Sequence, residues 1–110
     1  MPRESIKFAE FKFKLEYNCN DSSIFDFCYD VIFKNIKDIE LIYIYTPKCF
    51  DLEMYLFFLK DGRYSFKLLD KGVTESSLEK LEEKANRIIK TEVKKLKEKY
   101  EKEFQELLNV

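Results

Sequence analysis

Apolar and polar residues alternate from Ser5 to Tyr17. Ile6 and Phe8 keep one phase, Phe11, Phe13, Leu15 and Tyr17 the other, and Lys7, Lys12, Lys14 and Glu16 take the opposite face. A period of two is the mark of a half-buried strand. The phase slips by one residue near Ala9-Glu10, and an apolar face survives such a slip only where the chain bulges or the strand splits. The turn cluster Asn18-Cys-Asn-Asp-Ser22 follows, and Ser23 with Asp26 has capping-box spacing ahead of a helix predicted to run to about Asn35. Its apolar stripe is Ile24, Phe27, Cys28, Val31 and Ile32, while Asp26, Asp30 and Lys34 recur at i,i+4 on the wet side.

Ile39 to Thr46 is apolar or aromatic on both faces, which predicts a strand in the middle of a sheet, ended by Pro47. Leu52 to Lys60 reads as another strand. Asp61-Gly62, followed by the alternation of Tyr64, Phe66 and Leu68, predicts a hairpin with a tight primed turn. Asp70 to Val73 reads as a short connection, and Thr74 or Ser76 caps a last helix, Ser76 and Glu79 forming a second capping box. The predicted order is β-α-β-β-β-α. This is an α+β fold with one mainly antiparallel sheet, helices packed on it and a long C-terminal helix.

That last helix carries an apolar stripe almost to Val110, a length of roughly 50 Å at about 1.5 Å per residue. A sheet of short strands is much narrower, so the stripe outruns its own sheet. Its phase drifts near Glu92, and β-branched Thr91 beside it marks where the helix would break if its second half folded back. The other ways to cover the stripe are a second copy of the chain or a different partner, and a homodimer is the leading expectation. Val93, Leu96, Tyr100, Phe104 and Leu107 are the candidate dimer-interface residues.

Composition narrows the class. The chain has 110 residues, enough for a single domain over 1–110 with one core, and 45% hydrophobic against 37% charged residues is a globular balance. Twenty basic and 21 acidic residues leave a net charge of -1, so no global field draws the chain to nucleic acid or an anionic membrane. No apolar run reaches the length of a membrane span, and Met1-Pro-Arg-Glu-Ser lacks the apolar stretch of a secretory leader. An intracellular location, in a host cytoplasm, is expected. The bias toward Ile, Lys, Phe, Tyr and Glu suggests an AT-rich genome, archaeal or viral.

Chemistry-bearing patterns are sparse. Histidine is absent, so the usual general base, thiolate activator and zinc ligand are missing together. Cys19, Cys28 and Cys49 have no CxxC spacing, although a Cys19–Cys28 bridge stays open. Gly62 and Gly72 are the only glycines, too few for a phosphate-cradling loop. The expectation is a protein that is no enzyme and holds no metal or cofactor.

Two charged regions remain. Between Lys84 and Lys99 seven basic residues face only Glu92 and Glu98, a local charge of +5 (7 − 2). Such a segment could contact phosphates, or it is a solvated helix face with i,i+4 pairs such as Glu83–Arg87 and Glu98–Lys102. Asp21, Asp26, Asp30, Asp38 and Glu40 make a modest negative region around the first helix, so Asp26, Asp30 and Lys34 are the candidate partner-binding residues.

The charged alternating start (Ile6-Lys-Phe-Ala-Glu-Phe-Lys-Phe-Lys-Leu-Glu-Tyr17), the aromatic acidic helix (Ile24-Phe-Asp-Phe-Cys-Tyr-Asp-Val-Ile-Phe33) and the hairpin after it resemble a family of small proteins of archaeal rod-shaped and filamentous viruses. That family includes anti-CRISPR inhibitors of subtype I-D immunity. The resemblance implies a dimer that binds the large subunit of the host's type I-D interference complex and blocks cleavage of viral DNA stoichiometrically. It transfers no catalytic or contact residue. The alternative is a small viral or archaeal nucleic-acid-binding protein using Lys84–Lys99, and a third reading is a structural protein that assembles beyond a dimer.

Overall fold

The computed structural model describes residues 3–18, 39–47 and 52–108. Its elements are β1 (Ser5–Phe8), β2 (Phe11–Asn18), β3 (Ile39–Tyr45), β4 (Met54–Leu59), β5 (Tyr64–Leu68), β6 (Lys71–Glu75) and α1 (Leu78–Leu108). The six strands form one sheet in chain order, every neighbouring pair antiparallel. The fold is α+β. The helix predicted over residues 24–35 lies outside the described residues, as do all three cysteines.

The long first strand of the sequence reading is a hairpin. Ala9 and Glu10 have φ of 51° and 70°, both left-handed as a type I′ turn requires, and Phe8 pairs with Phe11 across it. In a two-residue hairpin the flanking residues point to one face, so the even phase of Ile6 and Phe8 meets the odd phase of Phe11 and Phe13. The slip in the pattern is therefore the strand splitting, carried to a full reversal. Ala-Glu lacks the usual turn chemistry, and each non-glycine residue in this conformation costs roughly 1–2 kcal/mol. One compensation is visible: the Ala9 N–H donates to Glu82 Oε2 on α1 at 2.9 Å.

Two β-bulges set the faces of the central strands. The register shifts between Leu15 and Tyr17 in β2 and between Ile39 and Leu41 in β3, leaving Glu16 and Glu40 as the extra residues. Each bulge inverts the phase. Leu15 and Leu41 pack toward the core on the helix side, whereas Tyr17 and Ile39 join Ile42, Phe57 and Leu59 on the other face. Both faces of β3 and β4 are thus buried, as the apolar runs predict for strands inside a sheet.

The β4–β5 hairpin departs from the primed two-residue turn expected at Asp61-Gly62. Only Gly62 there has positive φ, at 88°, its N–H donating to Leu59 O at 3.1 Å, while the Leu59 N–H donates to Arg63 O at 2.9 Å. This is a three-residue loop whose glycine takes the left-handed place of a G1 bulge. The stretch read as a connection after Leu68 is the edge strand β6. Only Val73 of it packs on the core, and the turn before it holds Leu69 at φ 56°.

The main core lies between sheet and helix. Phe13, Leu56, Phe66, Leu68, Leu81 and Ala85 have no measurable exposure, with Phe8 edge-on to Phe13 at 5.7 Å between ring centroids. α1 crosses β5 and β6, and the residues that seat it are Leu81, Ala85 and Ile89, spaced four apart along one face.

Candidate functional site: the projecting arm of α1

α1 begins one residue later than the predicted cap. Leu81 N–H donates to Ser77 O at 3.0 Å, which makes Ser77 the N-cap and moves Glu79 to the second helical position, where its charge favours the helix dipole but cannot close a box with Ser76. Thr74 is a strand residue whose hydroxyl donates to Ser65 Oγ at 3.1 Å. The helix then runs 31 residues, about 46 Å, without interruption. It passes straight through Thr91, whose Oγ1 donates to Arg87 O at 2.9 Å. A break at Thr91, with the second half folded back, does not occur.

Burial changes along this one element. Val93 and Leu96 are half-buried against the edge of the main core, and every residue from Lys97 to Leu108 is exposed. The last three turns therefore project beyond the sheet with Tyr100 49%, Phe104 63%, Leu107 73% and Leu108 70% exposed. Of the candidate dimer-interface residues, then, Tyr100, Phe104 and Leu107 form an open apolar face, while Val93 and Leu96 lie where that face joins the molecule's own core. Leu108, also exposed, lies on the flank of that face rather than in its centre and was not among the candidates. Asp26, Asp30 and Lys34 lie outside the described residues.

Two cations of the basic stretch are paired. Lys84 pairs with Glu75 of β6, and Lys95 with Glu92 at 3.5 Å. The Lys84 hydrogen bond and charge, with help from Lys80, hold the Glu75 carboxyl below its ordinary range against partial desolvation. The anticipated pairs Glu83–Arg87 and Glu98–Lys102 do not form, and among the described residues Arg87, Lys90, Lys94, Lys97 and Lys99 join no ion pair.

A cavity of about 720 Å³ lies at the other end of α1, lined by Arg3, Lys7, Tyr43, Glu79 and Glu82 among apolar side chains. Two of its polar side chains are committed to backbone. Tyr43 Oη donates to Arg3 O at 2.8 Å, and Glu82 accepts from Ala9. Burial raises the Tyr43 phenol, only partly offset by the Arg3 charge. Among the described residues no cluster of three or more His, Cys, Asp or Glu could hold a metal ion, and no helix is long and apolar enough to cross a membrane.

No protein-family model, no curated protein and no solved structure matches the chain. The arm of α1 is the feature of the described residues whose form its own fold does not explain.

Proposed function

We propose that this chain acts by binding other proteins, with the projecting arm of α1 as an interaction surface, and that it associates with itself as a homodimer. The observation that carries this reading is the run of exposed apolar residues Tyr100, Phe104, Leu107 and Leu108 on the last three turns of the helix, beyond the residues that pack on the core. Among the described residues nothing buries this stripe, and an exposed apolar stripe of that length is a mark of an interaction surface.

The partner proposed from the sequence resemblance is the large subunit of a host type I-D CRISPR interference complex, which the protein would occupy stoichiometrically so that viral DNA is not cleaved. Asp26, Asp30 and Lys34 are the proposed contacts. The test is a pull-down of tagged protein from lysate of a thermoacidophilic archaeal host with a type I-D system, washed at moderate salt. Enrichment of the large subunit, lost on Asp26→Lys with Asp30→Lys, is expected. Retention of the subunit by neither form would overturn the assignment.

One observation favours a second reading. Arg87, Lys90, Lys94, Lys97 and Lys99 are exposed and join no ion pair among the described residues, as phosphate contacts would be. Duplex DNA titrated at rising salt separates the two, since phosphate binding by about five cations would fall by orders of magnitude between low and moderate ionic strength.

A further inference from the structure

The apolar stripe where α1 leaves the sheet reads the same in both directions. Val93, Leu96, Tyr100, Phe104 and Leu107 are spaced 3, 4, 4 and 3 residues apart, a palindrome about Tyr100. At about 100° per residue these five positions fall within one narrow arc of the helix. A face that meets an unrelated partner has no need of that symmetry. A face that meets its own copy across a two-fold axis does, because each residue at a given distance on one side of the axis must find a match at the same distance on the other.

We infer that the seam is filled by a second copy of this chain running antiparallel, with the two-fold axis at Tyr100. Val93 then lies level with Leu107 of the second copy, Leu96 with Phe104, and Tyr100 with itself. The inference rests on the proposed self-association and adds the surface, the orientation and the register. The sheets of the two copies lie toward opposite ends of the seam. Residue 85, at the centre of each helix's packing on its sheet, is 15 residues from the axis, so the two bodies stand on the order of 45 Å apart along the helices and leave the arms free to overlap.

Charge selects the orientation. By the same angular spacing, Lys97 and Glu101 lie on one flank of the seam and Lys99 and Glu103 on the other. An antiparallel two-fold axis brings each flank against the same flank of the copy running the other way, so that Lys97 faces Glu101 and Glu103 faces Lys99, four attractive contacts against the two like ones that Glu101 and Lys99 make with their own copies across the axis. A parallel pair brings unlike flanks together in register, setting Lys97 against Lys99 and Glu101 against Glu103, with Glu101 beside Lys99 as the one attractive contact on each side, so that repulsion outnumbers attraction by four contacts to two. The flanking charges nearest the seam, Lys97 and Glu103, are therefore satisfied in one orientation and opposed in the other. The wider pattern agrees. The segment Lys84–Lys99 carries +5, and Glu101, Lys102, Glu103 and Glu106 sum to -2 (1 − 3), so antiparallel overlap sets the basic half of each arm beside the acidic half of the other. The apolar residues supply the affinity, and the ion pairs, weak singly, decide the direction.

The test is a charge exchange that leaves the net charge unchanged, Lys97→Glu with Glu103→Lys, followed by sedimentation equilibrium. In the antiparallel seam this exchange turns four attractive flank contacts into repulsive ones and is expected to weaken the dimer at least tenfold. In a parallel seam it would relieve repulsion and tighten the dimer. A wild type that is monomeric at every concentration overturns self-association together with this inference. A dimeric wild type whose dissociation constant is unchanged or lowered by the exchange overturns the orientation alone. Register is read separately with a short thiol-specific cross-linker and single cysteines in a Cys19→Ser, Cys28→Ser, Cys49→Ser background. Tyr100→Cys is expected to link to its own copy, whereas Val93→Cys and Leu107→Cys link only when mixed. Self-linking at 93 and 107 would overturn the axis.

Discussion

Lys84 reaches from the second turn of α1 to Glu75 at the end of β6, and that pair ties the start of the helix to the edge strand. Because the folded Glu75 carboxyl is held below its ordinary range, the interaction is present at neutral pH and is lost as the pH falls through the depressed value. In a carboxyl-detected NMR titration Glu75 is expected to titrate below the ordinary glutamate value, and Lys84→Ala should return it toward that value. A midpoint that Lys84→Ala leaves in place would show that the ammonium is not the cause. Asp61 is lowered too, chiefly by the Arg63 backbone N–H at 3.0 Å and then by its guanidinium, but it secures only a loop. Residue-scale geometry was the least legible part of the sequence. The bulges fall on Glu16 and Glu40, and the left-handed turn residues are Ala9, Glu10 and Leu69, none of a type that advertises such a conformation. Their neighbours impose it: the flanking Phe8 and Phe11 gain more by sharing one buried face than the turn loses in strain.

α1 is one element with two energetic halves. Leu81, Ala85 and Ile89 are buried against the sheet, and every residue from Lys97 to Leu108 is exposed. In the background of Phe104→Glu, which removes association as a complication, Leu81→Ala is expected to cost about 3 kcal/mol of unfolding free energy. Leu107→Ala should change it by less than about 0.5 kcal/mol. Urea denaturation measures both, and similar costs at the two sites would mean that the arm is packed in the monomer. The apolar runs of β3, β4 and β5 and the stripe of α1 were legible because burial enforces their periods. β6 was not, since Lys71-Gly-Val-Thr-Glu75 offers a single inward apolar residue, and an edge strand needs only backbone pairing on one side to form. The unbroken course of α1 through Thr91 was not legible either. A β-branched residue costs a helix only a few tenths of a kcal/mol, and here its hydroxyl bonds back to Arg87.

At the scale of the whole molecule, the described residues make a six-stranded antiparallel sheet in chain order as a platform, α1 is clamped to it over β5 and β6, and the same helix continues off the platform as an apolar and charged arm. The overreach of the helix could be read from its length against any sheet this chain can build, and the palindrome of the stripe was open to view in the sequence. What the sequence could not give was the point of departure, because only packing shows that Val93 and Leu96 are the last apolar residues to touch the core. That boundary separates Val93 and Leu96, which pack on the core, from Tyr100, Phe104 and Leu107, which are exposed and which the proposal places in an interface. The measurement that tests this most directly is sedimentation equilibrium of the wild type beside Phe104→Glu with Leu107→Glu, both checked for unchanged circular dichroism. Twice the chain mass of 13.4 kDa is expected for the wild type and the single mass for the variant. A wild type at 13.4 kDa across the concentration range, or a variant that keeps the doubled mass, would contradict the assignment of the arm as the self-association surface.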